Sequence, residues 1–210
     1  MKRLLVLGAS GMTGQHVIQQ SLARGYQVTA FVRQPDSLAR FSEPLRIVQG
    51  DIVTQPDALI RALDGQDAVI SALGRGHSLR PNGLIEQSVR TIVPAMEKYG
   101  PPRLVFTSAL GVGRTYAQAP LPARVFFRTL LARVYADKAL GDDMLRRSRL
   151  EWTLVHPSKL TDGRATGRYR IGEHLELRWW ASVSRADVAG ALMRCVEDPS
   201  TIRQSLIVSA

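Results

Sequence analysis

Cysteine is nearly absent from this 210-residue chain, which holds only Cys195. One cysteine excludes an internal disulfide framework and a cysteine-rich zinc site, and it favours a reducing, cytoplasmic environment. No apolar run reaches the roughly 18 to 20 residues of a membrane span. The apolar run Leu4–Leu7 after the basic start is too short for a signal peptide. We therefore expect a globular cytoplasmic protein and no membrane partner.

Acidic residues are scarce beside basic ones, with 18 Asp and Glu against 28 Lys and Arg, a net charge of +10. A positive surface attracts nucleic acid, anionic lipid or phosphorylated ligands. The chain has no run of five or six basic residues, so we do not expect a nucleic-acid partner. Segment 121–134 has apolar residues at spacing four with arginines between them. It is either a cationic amphipathic surface or a helix packed on the domain or its substrate cleft.

Short apolar or β-rich runs alternate with amphipathic stretches along the chain, which predicts βαβ units and a doubly wound α/β fold. We expect one Rossmann-like domain over residues 1–210, with a mostly parallel sheet and helices on both faces. Residues 157–183 are rich in Gly, Arg and Thr and are expected to form an irregular insertion on the substrate side. The predicted strands are 3–7, 26–32, 45–48, 67–71, 103–107, 152–155 and 205–208; the predicted helices are 14–24, 56–63, 83–98, most of 124–148, and the segment after the capping box 184–187.

A glycine-rich turn, Gly8-Ala9-Ser10-Gly11-Met12-Thr13-Gly14, joins the first strand to the first helix. It has one residue more before its second glycine than the G-x-G-x-x-G pattern, but its strand–turn–helix context is that of a dinucleotide site. Glycines let the backbone approach a pyrophosphate, and the helix N-terminus supplies free N–H donors. A tight turn without a ligand is the alternative. The expected cofactor-binding residues here are Gly8, Ser10, Gly11, Met12, Thr13 and Gly14.

Arg33 follows the second strand, about 20 residues beyond the glycine loop. An acidic residue at this position accepts hydrogen bonds from the adenosine ribose, whereas an arginine pairs with a 2′-phosphate. The sequence therefore favours NADP(H) over NAD(H), with Arg40 or Ser10 as further phosphate contacts. A plain surface arginine is the alternative.

Several segments together resemble one family, the atypical short-chain dehydrogenases/reductases. The likeness is strongest to small NAD(P)-binding proteins such as flavin reductase (biliverdin-IXβ reductase) and the nitrogen-metabolite-repressor-like (NmrA-like) regulators. It extends over nearly the whole chain, and its first three segments are fairly specific as a set. The segments are Leu7–Gly14, Phe31–Arg33, Gly50–Ile52, Asp67–Ile70, Thr107–Ala109 and Ser184–Ala189.

This resemblance implies further roles at the carboxyl ends of the strands. Asp51 and Ile52 would lie beside the adenine, and Lys138 would contact the cofactor ribose. The segment after the fourth strand would follow the ribose and pyrophosphate, and two residues would meet the nicotinamide end. The first set is Leu73, Gly74 and Arg75; the second is Ser108 and Pro157.

The catalytic signal is weaker than the cofactor signal. Many members of the superfamily use Tyr-x-x-x-Lys, but this chain has Tyr135-Ala-Asp-Lys138, one residue shorter; the spacing still places both side chains on one helix face. Tyr135 is either an acid or base or a half-buried helix residue. His156 is either a proton donor near the nicotinamide or a packing residue. The other histidines show no metal-ligand spacing, so no metal is expected.

We therefore predict an NADPH-dependent reductase with catalytic candidates Ser108, Lys138, His156 and Tyr135. A flavin, a quinone or a similar conjugated acceptor suits the weak acid–base signal, because it can take its proton from water. The alternatives are a non-catalytic NADP(H) sensor of the repressor-like kind and an epimerase- or dehydratase-like enzyme. The expected partner is a small-molecule substrate, and the oligomeric state is open.

Overall fold

The computed structural model describes residues 2–41, 45–74, 83–129 and 131–210. Ten strands and six α-helices occur in this part of the chain, joined by short 3-10 turns. The strands are β1 Arg3–Leu7, β2 Gln27–Val32, β3 Leu45–Gln49, β4 Ala68–Ser71, β5 Arg103–Thr107, β6 Glu151–Pro157, β7 Lys159–Thr161, β8 Arg170–Gly172, β9 Ser182–Ser184 and β10 Gln204–Ser209. The helices are α1 Met12–Ala23, α2 Pro56–Leu63, α3 Leu84–Tyr99, α4 Leu121–Thr129, α5 Ala132–Arg147 and α6 Arg185–Glu197.

Eight strands form one sheet in the order β3-β2-β1-β4-β5-β6-β10-β8. All neighbours pair in parallel except β8, which runs antiparallel to β10. The chain reverses its direction of winding between β1 and β4, and such a switch point opens a crevice at the carboxyl ends of the strands. The predicted doubly wound, mostly parallel fold is confirmed.

Two apolar layers cover the sheet, as the nearly continuous apolar runs of the central strands require. One face packs against α1 and α6, with Val17, Ile18, Val188 and Leu192 fully buried. The other face packs against α2, α3 and α5, with buried residues such as Ile92. The N-cap half of the predicted capping box at the start of α6 is present, since Ser184 Oγ accepts a hydrogen bond from Asp187 N at 2.9 Å. The Asp187 carboxylate instead accepts from Thr166 N and Gly167 N.

Two segments differ from the sequence-based expectation. The single helix expected over most of 124–148 is two helices, α4 and α5, with Leu131 at the N-cap of the second; neither Pro nor Gly marks the division in the sequence. The segment 157–183, expected to be irregular, contains β7 and β8, and β7 pairs in parallel with β9. Strands of three residues are too short to show an apolar period.

Candidate functional site

The glycine loop is shaped by contacts that leave no room for side chains at two positions. Gly8 has φ +72°, a conformation that favours glycine, and a Cβ there would lie 2.8 Å from the Ala72 backbone. A Cβ on Gly14 would lie only 2.2 Å from the Gly8 carbonyl oxygen. Gly11 N donates to that same oxygen at 3.0 Å. The loop therefore packs closely against the backbone just after β4 on one side and against the first turn of α1 on the other.

The N-terminus of α1 is open for an anion. Gly11 occupies the N-cap and provides no side-chain hydrogen bond, and the first turn holds no acidic residue. Ser10, Gly11 and Met12 are exposed, and Thr13 is half-buried. A helix start with free N–H groups and a positive dipole end suits a phosphate group.

The start of α3, on the other side of the crevice from α1, is capped by a side chain. The Asp137 carboxylate of α5 accepts hydrogen bonds from Ile85 N at 3.2 Å and Glu86 N at 3.0 Å, and so caps α3. This capping role was not predicted, although Asp137 lies inside the Tyr135–Lys138 motif. Of the two helix starts flanking the crevice, α1 is thus the one available to a phosphate.

Arg33 and Asp51, both predicted to contact the adenosine part of the cofactor, lie on the β2 and β3 side of the crevice. Arg33 is exposed directly after β2, and Asp51 follows β3. The Asp51 carboxylate accepts hydrogen bonds from Thr54 N and Val53 N, which lower its pKa, and the nearby Arg33 charge lowers it further. Ile52 beside it is buried. Asp51 is therefore an anion that orients its own turn and faces a cation.

The segment after β4 continues along the predicted cofactor path. Leu73 is half-buried, and Gly74 is exposed with open space where a Cβ would lie. Arg75 lies outside the described residues. The backbone after β4 also contacts Gly8, which fixes the distance between the glycine loop and this segment.

The carboxyl ends of β5 and β6 hold a buried polar cluster. Ser108 Oγ donates to Asp142 Oδ2 at 2.8 Å, and both residues are almost fully buried. Lys138 Nζ lies 3.5 Å from the Ser108 carbonyl oxygen. Pro157 is buried, and its carbonyl accepts from Leu110 N at 3.0 Å. The fold thus brings Ser108, Lys138 and Pro157 to one place.

Asp142 is the polar residue of this cluster that the sequence reading missed. Burial raises its pKa to about 6, and the Ser108 hydrogen bond and the Arg146 and Lys138 charges oppose that rise. Its second oxygen, Oδ1, is buried without a partner. The carboxyl group therefore holds the Ser108 hydroxyl in place, and burial makes it bind a proton more readily than an ordinary aspartate does.

His156 does not suit the proton-donor role that the sequence allowed. It is fully buried, and Nδ1 lies 3.1 Å from the Ala109 carbonyl oxygen, which can only accept, so the proton belongs on Nδ1. Burial lowers its pKa to about 4. The ring is therefore neutral near pH 7, and it tethers the turn after β5 to β6.

Tyr135 lines a cleft of about 310 Å³ together with Gly111, Tyr116, Arg128 and Ala132. Burial raises the pKa of its hydroxyl above the ordinary value. A tyrosine base requires the opposite shift.

Within the described residues there is no cluster of His, Cys, Asp and Glu that could hold a metal ion, nor a helix long and apolar enough to cross a membrane.

Comparison with known proteins identifies the protein family to which the chain belongs. Residues 8–199 match the family model described as NAD(P)H-binding, and the chain belongs to that family. A glycine loop followed by an uncapped helix start is typical of dinucleotide-binding folds. An uncharacterized chloroplast protein of Arabidopsis thaliana is 30% identical, covering 90% of this chain and 69% of that protein.

Named relatives span assembly and redox roles. The photosystem II assembly factor Ycf39 of Synechocystis is 25% identical over 97% of this chain and 61% of its own length. Isoflavone reductase of Pisum sativum is 23% identical over 97% of this chain and 69% of that enzyme. This chain therefore corresponds to about two thirds of each of these relatives.

Solved structures share the whole fold. A Bacillus halodurans protein, provisionally assigned as an NAD-dependent epimerase/dehydratase, is 26% identical with a TM-score of 0.81, covering 100% of this chain and 94% of that one. The anaerobillin reductase ChuY of Escherichia coli O157:H7 is 23% identical with a TM-score of 0.82, covering 99% and 96%. A Veillonella parvula short-chain dehydrogenase/reductase in complex with NADP is 20% identical with a TM-score of 0.82, covering 100% and 94%.

Gly11 and Gly14, two of the three glycines in the loop, should respond differently to alanine. Gly14→Ala pushes a methyl group into the Gly8 carbonyl oxygen at 2.2 Å, so we expect a loss of roughly 1 to 3 kcal/mol of stability, typical of overpacking.

Gly11 has φ −70°, and a Cβ there would have its nearest contact at 3.2 Å. Gly11→Ala should keep the fold and weaken NADPH binding by about tenfold, the equivalent of one hydrogen bond. Urea unfolding and cofactor titration measure the two effects, with Gly163→Ala as control; wild-type stability in Gly14→Ala would contradict the packing argument.

Asp142 should make stability depend on pH. Its folded pKa of about 6 lies above the ordinary value of 3.8, so the folded state binds more protons between those values and stability falls as pH rises through them. Asp142→Asn removes this loss. The stability of the variant relative to wild type should therefore rise by about 2 to 3 kcal/mol between pH 4 and pH 7.

Urea unfolding at both pH values provides the measurement for Asp142. Asp143→Asn is the matched control, because Asp143 is exposed on the same helix and pairs with Arg146. An Asp142→Asn curve parallel to wild type at both pH values would mean that the Asp142 carboxyl group is not destabilised by burial.

Proposed function

We propose that this protein is an NADPH-dependent reductase that transfers hydride to a small conjugated acceptor such as a flavin or a quinone. The dinucleotide would lie across the switch point, with its pyrophosphate at the glycine loop and the start of α1. Arg33 would pair with the 2′-phosphate. The nicotinamide end would lie beside Ser108 and Pro157, where the fold gathers polar side chains. NADPH would supply the hydride.

The pKa values, burial and hydrogen bonds of the candidate acid–base groups indicate which kind of acceptor suits the site. A secondary alcohol or a sugar needs a positioned base, yet burial raises the pKa of Tyr135. His156 is fully buried, and burial lowers its pKa to about 4, which makes it a weak base. The Ser108 hydroxyl is directed at Asp142. A conjugated acceptor needs mainly a face-to-face arrangement of two rings and can take its proton from water. This arrangement of side chains favours a reductase over an epimerase or dehydratase.

Turnover is the decisive test of this proposal. NADPH oxidation is followed by absorbance with FMN, riboflavin or a soluble quinone as acceptor. We expect acceptor-dependent oxidation that Lys138→Ala slows, because its ammonium group lies beside Ser108, where the nicotinamide end would lie. Tyr135→Phe should leave most of the rate, since no tyrosine base is required. Tight NADPH binding without oxidation by any acceptor would replace the reductase with the cofactor-sensor alternative.

Arg33 should set the choice between the two cofactors. A charge-assisted hydrogen bond contributes roughly 1.5 to 3 kcal/mol, which corresponds to about 10- to 100-fold in affinity. Arg33 is exposed and has Asp51 as a neighbouring anion, so the lower end is expected. Arg33→Ala should weaken NADPH binding by about tenfold and leave NADH binding unchanged.

The cofactor titrations should be made at one fixed salt concentration, because salt screens exposed charges. Arg61→Ala is a suitable control, since Arg61 lies in the last turn of α2, which runs back to the opposite edge of the sheet. Equal losses for NADPH and NADH in Arg33→Ala would remove the support for NADP(H).

A further inference from the structure

Two neighbouring tryptophans are left in solvent. Trp179 is 69% exposed and Trp180 is 56% exposed. Their rings meet edge to face, with centroids 5.4 Å apart. The third tryptophan, Trp152 in β6, is buried. An aromatic side chain that stays in water loses the free energy that its burial would contribute. A patch of exposed aromatic side chains therefore indicates a binding surface.

The pair lies at the same edge of the sheet as the cofactor site. Trp180 is two residues before β9, whose first residue, Ser182, pairs with Lys159 just beyond the end of β6. The Ser182 carbonyl accepts from Ala210 N at 3.0 Å, just beyond the end of β10. The tryptophans are therefore next to the carboxyl ends of β6 and β10, on the side where Ser108 lies.

The segment that carries the pair is also fixed to the segment that follows β5. Leu175 and Leu177 pack on a small buried cluster containing Leu110 and Ala119. Gln118 Nε2 donates to the Glu173 carbonyl oxygen at 2.9 Å. Gln118 ends the 3-10 helix Gly113–Gln118, which also supplies Tyr116 to the cleft beside Tyr135. The tryptophan segment and the Tyr135 cleft are thus parts of one surface.

Basic side chains lie on and near the segment that carries the tryptophans, together with the exposed Glu173 and Glu176. The Arg178 guanidinium lies 5.6 Å from the centre of the Trp180 ring. Arg170 Nη2 reaches the same segment through the Glu176 carbonyl oxygen at 3.2 Å, and Lys159 is exposed opposite Ser182. Such a surface offers aromatic faces for stacking and positive charge for anionic groups.

We propose that Trp179 and Trp180 bind the hydride acceptor, and that this acceptor is a planar conjugated molecule bearing phosphate, carboxylate or sulfonate groups. The inference rests on the proposed reductase function and adds the chemical class of its substrate. The tryptophan faces hold the rings by stacking, and Arg178 and Lys159 pair with the anionic substituents. Anionic lipid would match the charge as well, but the position of the pair at the edge that holds the cofactor favours the acceptor.

Binding is measured by calorimetry on protein saturated with NADP⁺, so that no turnover is needed. FMN is compared with riboflavin, which has the same ring without the phosphate, and anthraquinone-2-sulfonate with a neutral anthraquinone alcohol. Each anionic probe should bind about tenfold more tightly than its neutral counterpart. Trp179→Ala and Trp180→Ala should each weaken both members of a pair by about tenfold, in line with base–aromatic stacking. Arg178→Gln should remove most of the preference for the anion.

Tyr99→Ala is the matched control, because Tyr99 is also an exposed aromatic residue but ends α3 at the opposite edge of the sheet. It should bind all probes as wild type does. Retained Trp152 fluorescence and cofactor affinity show that the tryptophan variants are folded.

Three outcomes would overturn the inference. They are failure of both anionic probes to bind, unchanged binding in the tryptophan variants, and tryptophan-dependent sedimentation with phosphatidylglycerol vesicles while probe binding stays intact. The two proposals separate cleanly. Tryptophan-dependent probe binding without NADPH oxidation rejects the reductase, and with it the acceptor role, and leaves only a ligand-binding aromatic surface, whereas oxidation unaffected by either tryptophan substitution rejects the tryptophan surface alone.

Discussion

The contact between the Gly8 carbonyl and the first turn of α1 is the constraint on which the site depends. A Cβ on Gly14 would lie 2.2 Å from that carbonyl oxygen, and a Cβ on Gly8 would meet the backbone after β4 at 2.8 Å. Only glycine allows the helix, the loop and the neighbouring strand to approach so closely. This close packing aims the start of α1 at the crevice between β1 and β4.

Charge is distributed along the crevice in an order that matches the proposed ligands. The uncapped start of α1 and Arg33 offer positive potential where the phosphates of the cofactor would lie, while Asp137 neutralises the start of α3. At the other end, Asp142 holds Ser108 in a buried cluster. Beyond that cluster, the exposed tryptophans with their cations present a surface of a different kind, suited to a ring system. One edge of the sheet thus holds both an uncapped helix start and exposed aromatic side chains.

The parts of this molecule that local sequence dictates were predictable. The apolar run 3–7, the glycine loop and the alternation of strands and helices follow from steric rules and periodicity, and they define the sheet and the turn that joins β1 to α1. Asp142 could not be found this way, because its partner Ser108 is 34 residues distant and meets it only when β5 and α5 pack. The burial of His156 likewise depends on tertiary packing. The division between α4 and α5 and the three-residue strands had no local signal.

The central claim is that a dinucleotide spans the switch point with its pyrophosphate on the glycine loop and its nicotinamide beside Ser108. A crystal structure of the protein with NADP⁺ tests it most directly. The account predicts phosphate oxygens within hydrogen-bond distance of backbone N–H groups in the first turn of α1, the 2′-phosphate at Arg33, and the nicotinamide within direct or single-water reach of Ser108 or Lys138. A dinucleotide bound elsewhere, such as the cleft of about 180 Å³ near Arg194 and Gln204, or bound with its nicotinamide on the Arg33 side, would contradict it.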